Sequence, residues 1–228
     1  MPTKQASLSD CIVETVNAAS WALARDATTA TVVKGTSLSV NAEEKDNSAV
    51  RVSDAGGVFD VSRLFMTFDT SGVFCTPESA TFEIFGYQRR DVDIIVVKGK
   101  QSTAGGVSTL YGEGDFDAIE GFVAGEDMDG NVTTYSDRIS ASDLKVGNSS
   151  GDENTITLNG KALRDIALYD EFKIVIVNYV NDFKNVGTSI GTDSNGFYFA
   201  NSNDGDTSGF PLIRYTVADG THFESTPK

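Results

Sequence analysis

Histidine, tryptophan, cysteine and proline are all scarce in this chain, and each shortage removes a class of chemistry. Among 228 residues there is one histidine, His222, one tryptophan, Trp21, two cysteines, Cys11 and Cys75, and 4 prolines. A Ser-His-Asp or Cys-His site would have to use that one imidazole, six residues from the C-terminus, where an exposed tail residue is the plainer reading, and a zinc ion would find only that ring and two distant thiols. Two cysteines are too few for the disulfide framework of a small secreted domain. Long apolar runs are missing as well. The longest wholly aliphatic stretches are Ile94-Ile95-Val96-Val97 and Ile174-Val175-Ile176-Val177, far short of the ~20 residues of a membrane-crossing helix. Met1 to Asp10 shows no basic segment leading into an apolar stretch, so the expectation is synthesis in the cytosol without a secretory signal. Positive charge is also in deficit: 18 Lys and Arg face 33 Asp and Glu, a formal net charge of −15 and a pI near 4.3. Such a chain repels phosphate backbones and anionic lipid, so neither nucleic acid nor a membrane is an expected partner.

What is abundant points to strands and turns. The chain carries 22 Asp, 22 Ser, 22 Thr and 22 Gly against 11 Glu; these favour turns and strand surfaces over helix interiors. Hydrophobic residues at 39% and 14 Phe with 7 Tyr can fill a sizeable core, which a disordered acidic tail could not.

Period-two alternation and apolar runs predict strands over residues 49–52, 58–69, 80–87, 92–98, 154–158, 172–179, 196–200 and 212–217, separated by Asp/Gly/Asn turns such as Asp54-Ala55-Gly56-Gly57. Residues 92–98 are apolar on both faces and are expected at the centre of a sandwich. Thr28 to Val40 reads as two short strands around Lys34-Gly35, and Ala18 to Ala24 as a short helix or a strand laid along a neighbour. Gly160 to Leu168 alone has helical spacing, through Ala162, Leu163, Ile166 and Ala167. Residues 99–150 loosen into Gly- and Asp-rich loops with islands at Phe116 to Ile119 and Val132 to Tyr135. The pattern predicts an all-β fold: an antiparallel β-sandwich of jelly-roll type with one short helix. The expected division is an N-terminal arm or docking segment over residues 1–48 and the sandwich over residues 49–228.

The order of elements carries a resemblance. An arginine-led strand ending in Phe-Asp (Arg63 to Asp69) precedes a Ser-Ala-Thr strand entry (Ser79 to Ile84) and an aliphatic strand. Phe116-Asp117 and Val132 to Tyr135 follow, then an Ile-Thr-Leu-Asn strand leading to a short helix (Ile156 to Leu163), Phe172 to Ile176, Phe197 to Asp204 and Pro211 to Tyr215. Over roughly residues 49–218 this resembles the DNRLRE-type jelly-roll modules related to carbohydrate-binding modules, and similar β-sandwiches of tailed-bacteriophage virion structural proteins. The resemblance implies a jelly-roll sandwich, assembly into a virus particle, homotrimers and a surface glycan as ligand. The family's mid-domain Trp is absent from this chain, where Phe122 and Tyr135 occupy the comparable region.

Candidate chemistry is sparse. Glu126 to Asn131 and Asn201 to Asp206 offer alternating oxygen ligands of the kind calcium takes, but each lacks a full twelve-residue loop and reads equally as Asp-Gly turn chemistry. Tyr87, Tyr111, Phe122, Tyr135 and Trp21 form either a sugar-stacking platform or core packing. Trp21 is the best single anchor candidate, because it stands in a polar, Ala-rich segment outside the core pattern, with a sugar or equally a neighbouring subunit as its partner. No pair among the 33 acids stands out for glycoside hydrolysis. No catalytic, cofactor-binding or metal-ligating residue is assigned, and no cofactor. The expected function is that of a virion structural protein: a bacteriophage capsid decoration or tail/fibre accessory protein, not an enzyme, working by contact with capsid or tail proteins and with copies of itself. A carbohydrate-binding module for host-surface attachment is the alternative, and a polysaccharide-cleaving enzyme a third reading.

Overall fold

Two long strands, each shared between neighbours along its length, set the architecture. The computed structural model describes residues 2–5, 11–35, 49–101, 113–147, 152–188, 195–199 and 211–218. In chain order these form β1 (Thr3–Gln5), β2 (Cys11–Ala18), α1 (Trp21–Arg25), β3 (Val32–Gly35), β4 (Ala49–Ala55), β5 (Val58–Asp69), β6 (Ser79–Arg90), β7 (Ile94–Lys98), β8 (Glu153–Thr157), α2 (Gly160–Leu168), β9 (Glu171–Asn178), β10 (Asn195–Phe199) and β11 (Leu212–Thr216). Every pairing among these strands is antiparallel. The protein is an all-β sandwich with few helices, as the alternation predicts.

β5 pairs on one edge with β4 through Val58–Ser62 and then with β9 through Leu64–Asp69, and on its other edge with β2. β6 begins in a smaller sheet between β11 and β8, then crosses over to pair with β10 through Gly86–Arg90. Between the sheets lies a core built around Leu64, Met66, Phe68, Phe82 and Phe172, each at most 2% exposed. Because successive strand side chains face opposite ways, the same β5 also sends Val61, Arg63 and Phe65 to the outer face. There a second core forms under α1, residues 113–132 and a π-helical turn at Tyr179–Phe183.

Three expectations are corrected. Residues 11–35 are not a separate arm: β2 lies between β3 and β5, pairing Cys11 with Phe65 and Val13 with Arg63. Ile12 enters the inter-sheet core and Val13 the outer one. Lys34-Gly35 lies inside β3, opposite Ile12 and Cys11, not in a turn; residues 36–48 fall outside the described residues. β7 is not central. It pairs only with β9 among the described strands, and its other edge is covered by loop backbone, with Glu120 and Tyr135 donating to the Lys98 and Val96 carbonyls. Its double-sided apolar character follows from burial of both faces, Ile94 and Val96 in the inter-sheet core and Ile95 and Val97 in the outer one, while the loop backbone satisfies its edge. α2 matches the predicted helix, with Asn159 capping it by accepting from Lys161 and Ala162.

Candidate functional site

Arg63 interrupts an apolar strand, and burial of its charge requires a partner. The guanidinium, 0% exposed, forms a two-pronged bond to Asp182, from Nε at 2.8 Å to Oδ2 and from Nη2 at 2.8 Å to Oδ1. It also donates to the carbonyls of Phe116 (2.7 Å) and Arg25 (2.8 Å). Arg25 ends α1 and is likewise 0% exposed, donating through Nε to the Asp182 carbonyl at 2.9 Å and through Nη1 to Asp26 at 2.5 Å. Phe122 lies over both guanidiniums, 5.1 Å from Arg25 and 4.7 Å from Arg63, with Phe116 4.1 Å from Arg63. Arg25 Nη2 is buried without a hydrogen-bond partner and relies on ring contact of this kind. Two cations meet two carboxylates, Asp182 and Asp26, so the cluster is balanced. Leaving a charge in such a cluster without its partner costs about 3–5 kcal/mol. Its physical effect is to fasten α1, residues 116–122 and the turn at 179–183 to one point on β5.

A second cluster closes the edge of the sandwich. Period two turns Lys98 to the same side as Ile94 and Val96, where its ammonium meets Asp165 of α2 at 3.1 Å and Glu120 at 3.2 Å. The Tyr169 ring lies 5.2 Å away. Tyr135 donates its hydroxyl to Asp165 at 2.5 Å and stacks on Phe172 at 5.0 Å. Burial opposes the charge on Lys98, but its hydrogen bonds to Asp165 and Glu120 outweigh that and raise its pKa. Burial, then the Asp165 carboxylate, push the Tyr135 pKa far up, so its phenol stays protonated. Glu120 and Asp165 are a carboxylate pair of the kind glycoside hydrolysis uses, but one ammonium lies between them and Asp165 also accepts from Tyr135. As arranged, the four groups tie α2 and residue 120 to β7.

Among the described residues, the aromatic side chains expected as a platform or as core packing do not assemble into a platform. Tyr135 is 0% exposed and belongs to the inter-sheet core. Phe122 faces the buried arginines. Trp21 is half-buried; it meets Phe59 edge-on at 6.4 Å and donates from its indole to Asn185 Oδ1 at 3.0 Å. Its anchor role is thus within the chain. Only the backbone of Tyr87 is described, in β6; Tyr111, His222 and Asn201 to Asp206 lie outside the described residues. In the loop at 126–131 two of the three carboxylates have partners within the chain: Asn131 donates to Glu126 at 2.8 Å, and Lys184 pairs with Asp129. Among the described residues no group of three or more His, Cys, Asp or Glu is placed to hold a metal ion.

Arg25, Arg63 and Asp182 escaped sequence reasoning, although one signal was present. An arginine at an inward position of an otherwise apolar strand, Val61-Ser62-Arg63-Leu64-Phe65, needs a buried counter-ion. What it cannot show is which of 22 aspartates supplies it.

Outside this cluster lies a surface organised by Asn185, held at a φ of +51°. Its side chain accepts from Trp21 and donates to the Gly125 carbonyl at 3.1 Å, while Val186 donates to the Val180 carbonyl at 3.3 Å. Three separate segments therefore meet there, carrying Leu23, Val123, Val180 and Val186 at 63%, 46%, 40% and 50% exposure. No protein-family model and no curated protein matches the chain.

Proposed function

We propose that the chain is a structural subunit of a virus particle, a bacteriophage capsid decoration or tail/fibre accessory protein that works by protein–protein assembly. The observation that supports this reading most is the fastened outer face. Arg25, Arg63 and Asp182 pin three segments to β5 from beneath, while four large aliphatic side chains remain exposed above them. Aliphatic groups presented on a backbone that need not reorganise suit docking, because little ordering is lost on association. The resemblance of the element order to phage virion sandwiches suggests the kind of assembly, and the charge of −15 suits a subunit that must stay soluble in many copies and clear of a packaged genome.

The test is to purify particles of a virus encoding the chain. The expected result is a stoichiometric number of copies per particle by quantitative mass spectrometry and density for the sandwich at a fixed, repeated position by electron cryo-microscopy. Purified particles that lack the chain would overturn the reading.

A further inference from the structure

The exposed face around Asn185 combines an apolar centre with a mostly acidic rim. Glu126 and Asp127 are exposed, and Asp129 has 60% of its side chain exposed. The cations beside it are already held, Lys184 by Asp129 and Arg138, which lies over the Tyr179 ring, by Asp93. The other exposed apolar group is different. Phe74 and Leu168 are more exposed, at 73% and 69%, and are brought to one end by Thr70, which donates to the Tyr169 carbonyl at 2.6 Å. There exposed Lys161 and Arg164 accompany exposed Asp69 and Asp170, so the end has no single sign.

Resting on the assembly reading above, we infer that the surface formed by Leu23, Val123, Val180 and Val186 is the docking face of this subunit, and that its partner is a basic amphipathic protein segment. Aliphatic side chains of the partner would cover the valines and Leu23, while flanking Lys or Arg meet Glu126, Asp127 and Asp129. Charge complementarity chooses this occupant: a second copy of a chain at −15 would bring like charge against the rim. Area covered by the apolar centre supplies affinity, and the rim supplies orientation and association rate.

Two synthetic helical peptides test the inference, identical in their leucine positions, one with Lys and one with Glu at the polar positions. The isotopically labelled full chain is titrated with each at low salt and followed by amide chemical shifts. The Lys peptide is expected to shift the amides of Leu23, Val123, Val180 and Val186 saturably, and the Glu peptide to leave them unmoved. Val186→Ser and Asp127→Lys should each weaken the Lys peptide about tenfold while melting as the parent does, since both side chains lie on the surface; Phe74→Ser should leave it unchanged. Equal binding of the two peptides, shifts centred on Phe74 and Leu168, or no binding overturns the inference. So does concentration-dependent self-association through this face, which would make the occupant a second copy. Particles lacking the chain would overturn the assembly reading while leaving the peptide result to stand. Incorporation with a silent titration would overturn this docking face alone.

Discussion

At the scale of single residues, Tyr135 shows how a loop position becomes a core position. Its ring stacks on Phe172, and its one polar atom finds Asp165, so the cost of burying the hydroxyl is offset by a charge-assisted bond. The same bond makes stability sensitive to alkali. Burial and Asp165 raise the Tyr135 pKa above its ordinary 10.0. Lys98 is also raised, from 10.5, because its bonds to Asp165 and Glu120 outweigh desolvation. In both cases the folded chain holds a proton that the unfolded chain gives up first. Their contributions are therefore fully present below pH 10 and fade as pH rises through the ordinary tyrosine and lysine values towards the raised ones. Tyr135→Phe is expected to cost about 1 kcal/mol at pH 7. The gap between variant and parent should then narrow above pH 10, because the variant has no phenol to ionise on unfolding. Urea denaturation at pH 7, 9 and 10.5 measures both effects, and curves that stay parallel would remove Tyr135 from the alkaline response.

Among the elements, β6 does what two strands do elsewhere, because Gly86 lets it change sheets. At this point the pairing with β10 shifts register, with Phe199 opposite Gly86. A Cβ at position 86 would lie 2.5 Å from the ring of Phe197 and 2.5 Å from the Lys145 carbonyl oxygen. One obstacle is a ring at 0% exposure and the other is backbone, so neither yields freely. Gly86→Ala is expected to destabilise by about 1–3 kcal/mol, seen as a lower urea midpoint at unchanged slope. A midpoint equal to that of the parent would mean that Phe197 swings aside. Strands and α2 were legible in the sequence because alternation and helical spacing are local. Val58–Asp69, Ile94–Lys98 and Gly160–Leu168 all coincide with or lie within the expected segments. The roles of Trp21, Phe122 and Tyr135 were not legible, because each depends on a partner distant in sequence: Asn185, two arginines, and Phe172 with Asp165. For β7, the two apolar faces report burial in the two cores, but they carry no information on its edge, where loop backbone takes the place of a second strand. The candidate surface was illegible for the same reason, since the segments carrying Leu23, Val123 and Val180 are joined through Asn185 only after folding.

At the scale of the whole molecule, the two cores are one unit because the same strands serve both. β5 gives Leu64, Met66 and Phe68 to the core between the sheets and Val61 and Phe65 to the outer one. β2 repeats this with Ile12 and Val13, and Glu14 accepts from Arg51 at 2.5 Å and Ser62 at 2.9 Å. An N-terminal arm that only docked onto a partner could be removed without consequence for the sandwich. A strand in this position cannot: its loss opens an edge of β5 and uncovers both cores. Burial of Ile12 and Val13 contributes about 1.5–3 kcal/mol each, before the backbone pairing with β3 and β5 is counted, against a total stability of about 5–15 kcal/mol for a domain. Deletion of residues 1–20 is therefore expected to abolish cooperative unfolding, giving a sloping thermal curve by near-ultraviolet circular dichroism where the full chain gives one transition. It would also remove Ser20, the cap of α1, whose side chain accepts from Leu23. That helix could no longer present Arg25 to Asp182, and the outer face would come loose together with the sheet. A truncated chain that still melts in a single transition near the temperature of the full one would show that β2 is dispensable, and would return residues 1–20 to the role of a docking arm.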